Sequence, residues 1–151
     1  MCEHCGCRGV EPIAQLMDEH LALLDVGGEI RRHLDTGDRR GAWQLLARLA
    51  HDLGHHVDRE ERGLFRALKD QGDFGDAVAE LEGEHADFDE ALSDLGLEDG
   101  DLEARVEELL DHLSVHIDKE NLGIFPVAVV TLGATGWDRI AAVHSEVVGS
   151  A

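Results

Sequence analysis

The chain has no tyrosine and only two prolines, Pro12 and Pro126, and its aromatic residues amount to 4% of 151. The missing tyrosine excludes a tyrosinate metal ligand and a tyrosyl radical. No alternating run rich in Val, Ile, Thr or Tyr stands out, so nothing reads as a sheet. No apolar stretch approaches the roughly 20 residues that a membrane-spanning helix needs. Basic residues are also scarce: 13 Lys and Arg stand against 33 Asp and Glu, a formal charge of -20. A chain this acidic repels phosphate backbones, which argues against nucleic-acid binding. Most of the carboxylates are expected on a solvated surface.

Cysteine is confined to Cys2, Cys5 and Cys7. Three is an odd number, and from one end they cannot staple a fold, which fits a reducing compartment. With His4 they contain enough ligands for a small zinc site, but no second ligand cluster follows, and a reduced tail is the expected state. The N-terminus lacks the basic-then-apolar build of a signal peptide, so a cytoplasmic chain is expected. No Ser-His-Asp set, phosphate loop or nucleotide fingerprint occurs.

What is present is helical periodicity. Apolar residues recur at intervals of three and four in four segments. The first stripe runs Ile13, Leu16, His20, Leu23, Gly27, Ile30, Leu34. The second runs Leu46, Leu49, Leu53, His56, Glu60, Leu64, Leu68. The third is Val78, Leu81, His85, Phe88, Leu92, Leu95. The fourth is Leu102, Val106, Leu109, Leu113, His116, Glu120, Ile124, Val127. Short breaks rich in Gly and Asp separate them. The fold expected is all-α: an antiparallel up-down-up-down four-helix bundle over residues 12–130. A tail, 1–11, precedes it. An extension, 131–151, follows it, with a short helix expected over 138–148.

Four histidines and two glutamates fall inside these apolar stripes: His20, His56, Glu60, His85, His116 and Glu120. A buried carboxylate without a partner is costly, and a buried imidazole needs both nitrogens satisfied. His56 and Glu60, like His116 and Glu120, are four apart and share one helix face. One metal site holding all six would remove the penalty. Histidine and carboxylate together suit iron, manganese or zinc.

The same residues form an internal repeat. His56-Val-Asp-Arg-Glu60-Glu-Arg-Gly63-Leu64-Phe65 matches His116-Ile-Asp-Lys-Glu120-Asn-Leu-Gly123-Ile124-Phe125, and Glu19-His20 matches Glu84-His85. This pattern, with Phe125-Pro126 after the second copy, resembles the hemerythrin-like family, or HHE cation-binding domain, over roughly residues 12 to 130. The opening Cys-x-His-Cys-Gly-Cys is similar to the start of some actinobacterial hemerythrin-like proteins. The resemblance implies a four-helix bundle around two non-haem iron ions joined by an oxo or hydroxo bridge. His20, His56, His85 and His116 would be ligands, and Glu60 and Glu120 would bridge the ions. No catalytic residue is expected beyond the metal centre.

The chain departs from the oxygen carriers of that family at two places. Asp89 stands where they have a fifth histidine, and Asn121 where they have an aspartate, which counts against reversible oxygen carriage. Asp89 and His112 are further candidate ligands or supporting groups, and Asp52 could orient His56. His33 and His144 read as exposed. Gly63 and Gly123, costly inside helices, suggest close helix contact. The expected function is reaction with peroxide, oxygen or nitric oxide, as catalase- or peroxidase-like diiron chemistry. The alternatives are an oxygen or nitric oxide binding or sensing protein, or iron storage and donation.

Overall fold

The computed structural model describes residues 10–72 and 74–146. Cys2, Cys5, Cys7 and His4, and the stretch beyond 146, lie outside the described residues. Among those described, every regular element is a helix: α1 (Glu11–Asp35), α2 (Arg39–Arg59), a π-helical segment π1 (Glu60–Phe65), α3 (Arg66–Gln71), α4 (Gly75–Asp94), α5 (Leu102–Lys119), a second π segment π2 (Glu120–Ile124), α6 (Phe125–Thr131) and α7 (Ala134–His144). The four arms of the bundle are α1, α2–π1–α3, α4 and α5–π2–α6.

Local chemistry sets the ends. Pro12 sits in the first turn of α1, where a missing N–H costs nothing. Asp38 caps α2 by accepting from the Gly41 amide at 2.9 Å. The second arm ends at Gly72, whose φ of +87° suits a glycine cap. Asp99 folds the 95–101 connection by accepting from the Gly96 amide and from Arg105.

The expected stripes bury as far as the His-x-x-x-Glu pairs, and there the phase changes. Leu64 and Phe65 are adjacent yet both fully buried, and so nearly are Ile124 and Phe125. An α-helix turns neighbours by about 100°. The extra residue in each π turn re-phases the stripe, so that Phe125 and Ala128 are buried and Val127 is only partly so. Proline is not the cause, since Pro126 follows π2 but Arg66 follows π1. Glu-x-x-Gly is what the two segments share, with Phe65 closing the first and Phe125 opening α6 just after the second. Gly63 does allow a close approach, with Ile140 and Val143 of α7 at 3.7 Å from where its Cβ would be. Among the described residues nothing lies within 4 Å of where a Gly123 Cβ would be, so the repeat does not carry that role to the fourth arm.

The short C-terminal helix begins at Ala134, before the expected 138, and takes in Gly136 and Trp137. It packs on π1, α3 and α1. Two apolar clusters result. One, around Leu16, Phe65, Leu68, Phe125 and Ile140, joins α7 to the ends of the arms. The other, around Leu23, Ile30, Leu49, Phe88, Val106 and Leu113, fills the opposite half of the bundle. The six polar side chains lie buried with these two clusters.

Candidate metal centre

Each arm contributes one histidine, and two arms add a glutamate one turn later. All six side chains are at most 5% exposed. Their ligand atoms form two overlapping groups, His20, His56, Glu60, Glu120 and Glu60, His85, His116, Glu120; within each group every atom lies within 4.8 Å of the others. Both carboxylates belong to both groups. Glu60 Oε1 is 3.2 Å from His56 Nε2 and 3.2 Å from His85 Nε2. Glu120 Oε1 is 2.9 Å from His20 Nε2 and 3.4 Å from His116 Nε2. Each glutamate therefore stands between the two histidine pairs.

The other ring nitrogens face outward to acceptors. His56 Nδ1 donates to Glu19 and His116 Nδ1 to Glu84, both at 2.7 Å. Glu19 is shared with Arg59 at 2.7 Å, and Glu84 with Lys119. His85 Nδ1 donates to Glu61 at 2.9 Å, and His20 Nδ1 to the side-chain carbonyl of Asn121 at 2.8 Å. A proton fixed on Nδ1 leaves the Nε2 lone pair directed inward, the tautomer a metal ligand needs. The rings are further fixed by stacking, Phe65 on His85 at 5.7 Å and Phe125 on His20 at 5.4 Å.

Inside this frame, His20 Nε2, His56 Nε2 and all four carboxylate oxygens of Glu60 and Glu120 are buried without a hydrogen-bond partner among the described residues. Native interiors leave few such atoms, and here six converge on one place. Electrostatics agree. Burial alone would push His56 down, but Glu60, Glu19 and Glu120 overcome it and raise it to about 10. His85 and His116 are raised against burial in the same way, by Glu60 and Glu120. Burial would raise Glu60, yet His56 and His85 hold it well below the usual carboxylate range. Protons thus do in the metal-free chain what a cation would do better. The donor set fits a metal of the iron, manganese or zinc type.

Comparison with protein-family models matches residues 11–128 to the hemerythrin HHE cation binding domain. The chain belongs to the hemerythrin HHE cation-binding family. Neither the comparison with curated proteins nor that with solved structures gave a match. Membership and the buried cluster together make this hemerythrin-type bundle a metal-binding protein, with iron the typical metal of the family.

Not every expected residue joins the centre of this HHE bundle. Asp89 is exposed and lines a groove of about 550 Å³ with His85, Glu61, Leu53, Val57 and Leu92. His112 is exposed too, edge-on to Phe88 at 5.4 Å. Neither belongs to the ligand groups. Asp52 lies near Arg48, not on the His56 ring. The carboxylate that orients His56 is Glu19, from the neighbouring arm. His33 pairs with Asp38 on the surface. His144, expected outside, is partly covered because α7 folds back on α1; its Nδ1 lies 2.7 Å from Gln15 Oε1.

Glu19, Glu84, Glu61 and Asn121 are the supporting residues that reading the stripes missed. Their signal was in the repeat. Glu19 and Glu84 each precede a stripe histidine, and Glu61 and Asn121 each follow a stripe glutamate. One step along a helix is a turn of about 100°, so each of these side chains stands beside the buried face and meets the outer ring nitrogen of a histidine on another arm. Phe125 is fully buried and stacked on His20. Phe125→Ala should cost about 3–5 kcal/mol, and Phe125→Leu about 1.5 kcal/mol or less. Thermal melts check this, and an alanine variant melting with the parent would contradict the packing argument.

Proposed function

We propose that this chain is a non-haem diiron protein whose centre reacts with peroxide, oxygen or nitric oxide. The observation that carries this is the sharing of Glu60 and Glu120 between the two histidine pairs. That arrangement suits two ions with common carboxylates better than one ion with six ligands. Iron held there supplies redox chemistry toward small oxidants.

The chain's own residues do the rest. The four Nδ1 contacts hold the imidazoles in one tautomer. Phe65 and Phe125 stack on two of the ligand rings, and Leu64 and Ile124 are buried in the same apolar cluster as these two phenylalanines. The groove between α2 and α4 gives a small molecule a route to the His85 side. His20 and His56 with Glu60 and Glu120 would hold one ion, and His85 and His116 with the same glutamates would hold the other. Anionic oxygen donors favour the ferric state, whereas reversible oxygen binding begins from the ferrous one. Asp89 does not supply the fifth histidine of an oxygen carrier, which again favours redox turnover over carriage.

The test is metal analysis with an absorption spectrum, followed by peroxide turnover. The expected result is about two iron per chain and steady loss of added peroxide. Alternatively, the protein is reduced, exposed to oxygen and deoxygenated in repeated cycles. A spectrum that comes and goes with oxygen, without peroxide turnover, would make the chain a carrier.

A further inference from the structure

We propose that the two halves of this centre hold metal unequally, the position on His85 and His116 binding more tightly than the one on His20 and His56. The inference rests on the dinuclear reading above and deepens it. The two halves match in nearly every part. His56 corresponds to His116, and Glu60 to Glu120. Glu19 with Arg59 corresponds to Glu84 with Lys119, and Phe65 to Phe125. Among the hydrogen-bond partners of the four Nδ1 atoms the match fails at one place. Glu61 backs His85 with a carboxylate, while Asn121, its counterpart in the repeat, backs His20 with a neutral amide.

The difference is not offset elsewhere in the frame. Glu19 and Glu84 each share their charge with a cation. Glu61 has no such cation among the described residues, and its ionic contact is His85 Nδ1. The outer ring is thus one charge more negative around the His85–His116 position. A carboxylate accepting from Nδ1–H also makes the opposite nitrogen a stronger donor, and losing such a partner typically lowers metal affinity roughly 10–100-fold. Glu61 is 36% exposed, so water screens part of its charge and the lower end, about tenfold, applies. A singly loaded chain would then carry its ion at His85 and His116, and the His20–His56 position would exchange.

The experiment is anaerobic Fe²⁺ titration of the metal-free chain, with stoichiometry followed by native mass spectrometry and affinity by chelator competition. The wild type should load in two steps about tenfold apart. His20→Ala should keep the tight step, and His85→Ala only the weak one. Both remove a buried ligand, so the isosteric variants carry the decision. Glu61→Gln should bring the two steps together. The exchange Glu61→Gln with Asn121→Asp should reverse which histidine's removal spares the tight step, an outcome that general loss of structure cannot produce. Two ions of equal affinity, or a gap that both isosteric variants leave unchanged, would overturn this proposal while the dinuclear reading stood. Fewer than two ions at saturation in the wild type would bring down both.

Discussion

Glu60→Ala should deplete both metal positions at once, and Glu120→Ala should do the same. Each carboxylate belongs to both ligand groups, so removing one takes an anionic donor from each. Glu60 lies within 3.2 Å of His56 and of His85, one from each pair. The loss reaches the metal-free fold as well. Against burial, His56 is raised to about 10 by Glu60, Glu19 and Glu120, so deleting Glu60 removes the largest of the charges that stabilise its buried proton. Breaking a buried pair in this way costs about 3–5 kcal/mol, which for a chain of this size is a fall in Tm on the order of 10 °C. Glu82→Ala is the matched control. Glu82 lies three residues before His85, but its carboxylate pairs with Lys69 outside the cluster, and metal content should not change. Two ions retained in both the Glu60 and Glu120 variants would show that neither carboxylate is shared.

The bundle was legible because burial leaves a period in the sequence. His20, His56, Glu60, His85, His116 and Glu120 were conspicuous as polar residues at positions where the period called for leucine, and all six come together. What the period could not report was a change in its own phase. The two π segments shift the buried face by one residue, which is why Phe65 and Phe125 enter the core and Val127 partly leaves it. The groups on the outer ring nitrogens were hidden for a related reason. Glu19, Glu61, Glu84 and Asn121 lie just beside the apolar stripe, where a single helix reads as the edge of a solvated face. Only the neighbouring arm makes them interior. Asp89 and His112 show the reverse: spacing of three or four from a ligand puts them near the right face, and the helices then turn them out to solvent.

Raising the pH from 6.5 toward 9 should destabilise the metal-free chain and, over the same range, tighten metal binding. Histidine near 6.5 in the unfolded chain rises to about 10 at His56 in the folded one, and His85 and His116 shift the same way. Between those values the folded state binds more protons than the unfolded state, so unfolding free energy falls with pH. The stabilisation is complete below 6.5 and is lost as pH climbs through about 10. One proton contributes on the order of 1.4 kcal/mol per pH unit, so His56 alone should lower Tm by several degrees between pH 6.5 and 8.5. On the acid side burial would raise Glu19, Glu60 and Glu84, but their histidine and cationic neighbours hold all three below the ordinary 4.5. Their contribution is therefore present above about 4.5 and is lost as pH falls. The metal-free chain should be most stable between about pH 4.5 and 6.5. Ligation needs neutral imidazoles, so each bound proton must leave as metal enters. Every proton released makes affinity rise about tenfold per pH unit, and His56 contributes about one at pH 7. Calorimetric titration with Zn²⁺ in buffers of different ionisation enthalpy counts those protons, and melts of the metal-free and Zn²⁺-loaded chains from pH 5 to 9 follow stability. The interval between the two melting temperatures should widen as pH rises. A metal-free chain that grows more stable from pH 6.5 to 9, or metal uptake that releases no proton, would contradict the imidazolium–carboxylate account of the cluster.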